Sequence, residues 1–124
     1  MIKIKKFFLA KKSRFETCYR GFLIYIDVDR ENSNFKLSTR VFSEELFIPN
    51  SIRDVVSKIN QKAANKNFPS YLLIDEDSLS VNFIQQIPAN SKASLFKLIK
   101  LFVFCARSWA PLLKRLADND LFYV

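Results

Sequence analysis

The stretch NSKASLFKLIKLFVFCARSWAPLLKRLAD, residues 90–118, decides the fold of this 124-residue chain. Its apolar residues recur at steps of three and four, the spacing that places side chains on one face of an α-helix. The stripe predicted to be buried consists of Leu95, Leu98, Ile99, Phe102, Cys105, Ala106, Trp109, Leu113 and Leu116. Three further residues, Leu101, Val103 and Phe104, widen the apolar arc, which leaves room for a second molecule beside the chain's own sheet.

The ends of this long helix are signalled less sharply than its middle. Asn90, Ser91 and Ser94 can each act as the N-cap, because each side-chain oxygen can accept a bond from a free N–H of the first turn. Pro111 falls inside the apolar pattern and is predicted to kink or interrupt the helix, since proline lacks the N–H donor.

A second helix is predicted over residues 51–66. Pro49 and Asn50 punctuate its start, and Ser51 and Asp54 have the spacing of a capping box. Its predicted buried stripe consists of Ile52, Val55, Val56, Ile59 and Ala63.

The strand signals lie before and after that second helix. The predicted strands are residues 19–29, 35–42, 46–48, 71–75 and 79–84. In the first of them, Ile24 and Ile26 point to one face while Leu23 and Tyr25 point to the other. A polar turn joins the first two strands and an acidic turn joins the last two, so both pairs are predicted to be antiparallel hairpins.

Residues 1–20 carry most of the positive charge. They hold seven cations and one acidic residue, a net +6 out of +8 for the whole chain. Helix and strand patterns compete here, and a helix is favoured because Phe8, Leu9, Lys12 and Phe15 lie at helical spacing. Such a segment can contact phosphates, anionic lipid or an acidic protein surface.

These elements predict an α+β fold, with an antiparallel sheet of four to five strands and helices packed on one face. The predicted order is a helix or tail, two strands, an optional third strand, a helix, two strands and a helix. One domain spans residues 1–124, and residues 1–18 form a basic N-terminal segment for which a flexible tail and a helix are both open.

Composition argues against catalysis. The chain has no histidine, which removes the commonest general base and metal ligand, and no catalytic, cofactor or metal motif is present. Of the two cysteines, Cys105 is predicted to be a small core residue and Cys18 to be exposed, so that a disulfide is open but not indicated by the sequence. No apolar run is long enough to span a bilayer, so a soluble protein is expected, and the two distant cysteines favour a reducing, cytoplasmic compartment.

Three stretches together resemble a known superfamily. They are INQKAANKNFPSY at 59–71, LLIDEDSLSVNFIQQIP at 72–88 and LFKLIKLFVFCARSWAPLL at 95–113. With the element order, they are similar to type III secretion chaperones and sensory-transduction-regulator-like proteins. The resemblance implies a small α+β sandwich, usually a homodimer, that keeps an unfolded or extended segment of a secreted protein soluble. Secretion chaperones are typically acidic, however, whereas this chain is basic, which suits an acidic client or a different role.

The resulting hypothesis is a non-catalytic protein-binding module that is secretion-chaperone-like and holds an extended or apolar segment of a partner. The residues predicted to bind the partner are Leu23, Tyr25, Phe42, Leu101 and Phe104. Two alternatives stay open: a nucleic-acid-associated protein, and a small inhibitor that binds a host enzyme. The residues predicted to bind anions or nucleic acid in the first alternative are Lys3, Lys5, Lys6, Lys11, Lys12 and Arg14.

Overall fold

A computed structural model describes residues 13–66, 70–88 and 90–123, which form five strands and two helices. The elements are β1 (Arg14–Tyr19), β2 (Phe22–Asp29), β3 (Asn34–Ser43), α1 (Asn50–Lys66), β4 (Ser70–Asp75), β5 (Ser80–Pro88) and α2 (Leu95–Tyr123). The strands make one antiparallel sheet in the order β1-β2-β3-β5-β4. The predicted α+β class, the antiparallel sheet and the element order are confirmed.

The helix predicted over residues 1–20 is wrong for residues 14–19. Residues 14–19 form β1, in which Phe15, Thr17 and Tyr19 are half-buried and alternate with exposed neighbours. Arg20 and Gly21, both with positive φ (49° and 85°), turn the chain directly into β2. Two consecutive positive φ values match the type I′ turn, whose twist suits a tight hairpin. Residues 1–12 lie outside the described part, and the predicted domain extent stays a prediction.

The optional strand at residues 46–48 does not form, and β1 supplies the fifth strand instead. Ile48 is buried, but its neighbours Leu46 and Phe47 are both exposed. Pro49 follows at once and has no N–H for a sheet ladder. This segment is therefore a connection that anchors one side chain in the core and enters α1.

The core lies between one face of the sheet and the two helices. α1 packs on β4, whereas α2 packs on β3 and touches β1. Ile24 and Ile26 of β2 are buried as predicted, and the ring of Phe102 in α2 stacks on Phe83 of β5 at 5.1 Å between centroids. The helices therefore lie on one face of the sheet, as the sequence predicts.

Along α2 the buried stripe differs from the predicted one at two neighbouring positions. Phe102 and Ala106 are buried as expected, but Cys105 is exposed and Val103 is buried. At 100° per residue, Phe102 and Val103 lie on either side of Ala106 and within about 60° of it, whereas Cys105 lies about 100° from Ala106. Cys105 is therefore a surface thiol and the prediction of a core cysteine was wrong.

The start of α2 is settled among the three candidates. The backbone N–H of Lys97 donates to the Ser94 hydroxyl at 3.2 Å, which makes Ser94 the N-cap. The helix then runs continuously through Pro111, so the predicted interruption was wrong. Pro111 is exposed, and the carbonyl of Arg107 that loses its helical donor can be hydrated on that side.

α1 begins one residue before its predicted start. Ile52 N–H and Arg53 N–H both donate to the Pro49 carbonyl, at 3.1 and 3.2 Å. Ser51 thus lies within the first turn, and its hydroxyl donates to the Leu116 carbonyl at 3.2 Å, tying α1 to α2. The predicted Ser51 cap was wrong. In the predicted stripe, Ile52 and Val56 are buried and Val55 and Ile59 half-buried; the Ala63 side chain lies outside the described part.

Candidate functional site

No group of three or more His, Cys, Asp or Glu side chains is placed to hold a metal ion within residues 13–66, 70–88 and 90–123. None of the helices in that part is long and apolar enough to cross a membrane. The candidate sites are surfaces defined by apolar side chains that the fold leaves exposed.

A groove of about 830 Å³ opens between the β2–β3 hairpin and the C-terminal half of α2. Leu23, Tyr25 and Phe42 line it from the sheet, and Pro111 and Lys114 line it from the helix. The structure thus brings together three of the five predicted partner-binding residues. The contribution of α2 to this groove was not predicted, because the helix lies far from β2 in the sequence.

Phe42 lines the groove, but it faces a different side of the sheet from the one predicted. Alternation placed it with Leu23 and Tyr25, on the face away from the core. A β-bulge between Arg40 and Phe42 shifts the register against β5, and Phe42 is half-buried against the core cluster. An extra residue in one strand reverses the facing of the residues after it, so alternation fails beyond the bulge.

The other two predicted residues lie on the exposed side of α2. Leu101 and Phe104 are 55% and 71% exposed, and Leu112, which the sequence analysis did not single out, is 41% exposed. We call the exposed run Leu101, Phe104, Cys105, Ser108 and Leu112 the α2 stripe. Its spacing of three, one, three and four residues keeps these side chains on one face of the helix. The α2 stripe was detectable in the sequence as the apolar surplus beyond one face.

Aromatic rings and cations cluster where β1 meets the first turn of α2. The rings of Tyr19 and Phe96 meet edge to face at 6.0 Å, and the Lys100 Nζ lies 5.3 Å from the Phe96 centroid. The Arg20 Nε donates to the Tyr19 Oη at 3.3 Å. This hydrogen bond lowers the pKa of Tyr19, since it favours the phenolate.

The two edges of the sheet differ in whether their outward main-chain groups have hydrogen-bond partners. At the β4 edge, the Asn60 side chain of α1 donates to the Leu72 carbonyl at 2.7 Å and accepts from the Leu72 N–H at 3.1 Å. At the other edge, the Val28 N–H donates to the Ser13 carbonyl. In this register the main-chain N–H and C=O groups of the odd-numbered residues of β1 face β2. The main-chain groups of Arg14, Glu16 and Cys18 then face outward, where the described part of the chain supplies no neighbouring strand.

Of the residues predicted to bind anions, only Arg14 is among those described; Lys3, Lys5, Lys6, Lys11 and Lys12 lie outside them. Arg14 makes two bonds to the Asp27 carboxylate, at 2.6 and 3.1 Å. Its guanidinium also lies over the Tyr25 ring, 4.9 Å from the centroid. Arg14 is therefore engaged within the sheet, and a ligand anion would compete with Asp27.

The acidic turn between β4 and β5 has structural contacts of its own. The Asp75 carboxylate accepts from the backbone N–H groups of Asp77 and Ser78 at 3.1 and 3.4 Å. Glu76 forms two bonds with the Arg53 guanidinium of α1. These carboxylates shape the turn and tie it to α1.

No family model and no curated protein matches this chain. Among the solved structures that resemble it are chains of two complexes. A chain of the ExsC–ExsE complex gives a TM-score of 0.66 at 16% identity, covering 81% of this chain and 75% of that one. A chain of the HopA1–SchA chaperone–effector complex gives a TM-score of 0.59 at 16% identity, covering 82% and 78%. The fold is similar to that of these two chains. The predicted resemblance to type III secretion chaperones is confirmed at the level of the fold.

Proposed function

We propose that this chain is a non-catalytic protein-binding module that holds an extended or apolar segment of a partner protein, as a secretion chaperone does. The observation that carries the proposal is the apolar surface left open in the groove and on the α2 stripe, in a chain whose fold is chaperone-like. Contiguous exposed apolar surface is typical of protein-interaction sites.

The groove and the β1 edge suit an extended segment. A partner strand can bond to the outward main-chain groups of β1, and apolar side chains can enter the groove beside Leu23, Tyr25 and Phe42. At the opposite edge the Asn60 amide is bonded to the main-chain carbonyl and N–H of Leu72. A strand added at that edge would have to displace the Asn60 amide. β1 is therefore the edge we assign to the partner.

A homodimer and a cytoplasmic location belong to the same proposal. The homodimer is expected from the family resemblance, and the cytoplasmic location from the cysteine usage and the lack of a spanning apolar run. Light scattering coupled to size exclusion measures the first directly, and fractionation of the source cells measures the second.

The test is recovery of a partner from the native cells with the full-length tagged chain. The wild type is expected to retain one protein in a fixed ratio of partner to tagged chain. Each of two variants should lower that ratio, because Leu23→Glu places a charge in the groove and Phe104→Glu places one on the α2 stripe. Leu46→Glu is the matched control, because Leu46 is 83% exposed and lies outside the groove and the α2 stripe.

Absorbance at 260 and 280 nm at low and high salt separates a protein partner from nucleic acid. Recovery of nucleic acid alone, lost as salt rises, would overturn the proposal and favour the basic N-terminal segment as the binding site. If the wild type and the three variants recover the same protein in equal amounts, neither the groove nor the α2 stripe belongs to the interface with that protein.

A further inference from the structure

The α2 stripe is bordered along one side by a row of cations. Lys100, Arg107 and Lys114 are exposed and seven residues apart, so they project within about 40° of one another around the helix. We call these three residues the cation row. Within the described part of the chain, none of these three residues forms an ion pair, and Lys100 lies over the Phe96 ring. From Leu95 to Leu116, α2 carries no acidic residue.

This charge pattern argues against a second copy of the chain as the occupant. In an antiparallel two-fold pairing along the stripe, the cation row would face the same row of the other copy, and like charges repel. In a parallel pairing it would face the side of Leu98, Cys105 and Leu112, which offers no carboxylate. Neither arrangement neutralises the cation row.

The shape of the stripe argues for a helix as its occupant. An exposed helix face offers no free main-chain groups, so an extended segment laid on it would leave its own backbone groups unpaired. A helix satisfies its backbone internally and can pack its side chains between Leu101, Phe104 and Leu112. From Leu101 to Leu112 the stripe is about 16 Å long, which three to four turns of a partner helix cover.

We propose that the α2 stripe binds an amphipathic helix of the partner whose acidic residues recur every seven positions, opposite the cation row. This inference rests on the proposed protein-binding function and names the chemistry of one bound segment. It also gives the basic character of α2 a role, because cations beside an apolar seam select partners by charge.

The test uses three synthetic helical peptides of about three heptads. They share one leucine seam and carry Glu, Lys or Gln at the flanking positions, with a fluorescein label. Fluorescence anisotropy against the full-length protein is expected to show the Glu peptide binding about tenfold more tightly than the Lys peptide. The gap should narrow as salt rises, because these charges are exposed.

Variants show where the peptide binds. The triple variant Lys100→Glu, Arg107→Glu, Lys114→Glu is expected to prefer the Lys peptide. Its control reverses three exposed cations elsewhere, Lys58→Glu, Lys62→Glu and Lys92→Glu, and should keep the preference for Glu. The control has the same net charge, so a general electrostatic attraction is separated from binding at the cation row.

The peptide measurements overturn the inference if the Glu and Lys peptides bind equally, or if the cation-row variant keeps the wild-type preference. A wild-type dimer that Phe104→Glu converts to a monomer in light scattering also overturns it, since the α2 stripe would then be occupied by a second copy. If the cation-row variant still recovers the native partner at the wild-type ratio, this inference fails and the proposed function stands. If the wild type recovers no protein, the proposed function fails, and the peptides report only on α2.

Discussion

Single residues with unusual backbone or electrostatic settings explain much of the local structure. Gly21 is the one glycine of the chain and lies at the β1–β2 turn with φ 85°. Glu76 lies in the acidic turn and bonds to Arg53 of α1. Neither setting was predicted, although a sole glycine between two alternating stretches is itself a turn signal.

Substitution Gly21→Ala is expected to lower the free energy of unfolding by about 1–2 kcal/mol, the cost of a left-handed conformation for a residue with a Cβ. Nothing lies within 4 Å of the added Cβ, so the cost comes from the backbone alone. Urea unfolding measures it. Arg20→Ala is the control, since Arg20 already carries a Cβ at positive φ, and should change stability by less than about 0.5 kcal/mol. Equal effects of the two would contradict the type I′ assignment.

The hydrogen bonds from Arg53 lower the pKa of Glu76 below its ordinary value. A carboxyl group whose pKa is lower when folded stabilises the protein above its unfolded pKa of about 4.3, and this contribution is lost as pH falls through the lowered value. Glu76→Gln should therefore lower the melting temperature at neutral pH and match the wild type in strong acid. Thermal scans across this range test the expectation, and a difference that persists in strong acid would show that the charge is not its cause.

At the scale of elements, each helix has a task beyond covering the core. α1 closes the β4 edge through Asn60, whose amide bonds to both main-chain groups of Leu72. α2 covers the sheet with one side and leaves the α2 stripe exposed on the other. Amphipathic spacing predicted both helices, but only the packed structure shows which polar residue meets an edge.

Asn60→Ala is expected to lower the free energy of unfolding by about 1–3 kcal/mol, because two part-buried main-chain groups lose their partner. It should also expose an unpaired strand edge and raise the tendency to aggregate. Denaturant unfolding and light scattering measure the two effects. Gln61→Ala, one residue along and exposed, is the control. A stability equal to that of the control would mean that the Asn60 contacts contribute nothing.

The same Phe→Ala substitution is expected to change the free energy of unfolding much more on the buried side of α2 than on its exposed side. Phe102→Ala should lower the free energy of unfolding by about 3–5 kcal/mol, since Phe102 is fully buried and stacks on Phe83. Phe104→Ala should change it by less than about 0.5 kcal/mol while weakening partner binding. Chemical unfolding of both variants is the measurement. A large loss for Phe104→Ala without a change of oligomeric state would place Phe104 in the core and remove it from the α2 stripe.

At the scale of the whole molecule, the division between core and binding surface follows from the shape of the sheet. One face is covered by two helices, and the groove forms where the β2–β3 hairpin reaches the C-terminal half of α2. Tyr25 and Pro111, far apart in the sequence, both line it. No local pattern predicts that two such residues share a groove, so the sequence predicted the exposed apolar residues singly and the structure shows which of them share a surface.

The sequence by itself determined the α+β class, the order of helices and strands, the buried face of β2 and the apolar surplus of α2, because all of these are properties of spacing along the chain. Only the tertiary structure decided the rest. The bulge redirects Phe42, the packing of α2 over the sheet exposes Cys105 and buries Val103, and pairing with β2 makes residues 14–19 a strand. Each of these depends on a neighbour distant in sequence, whose position is fixed only when the chain has packed.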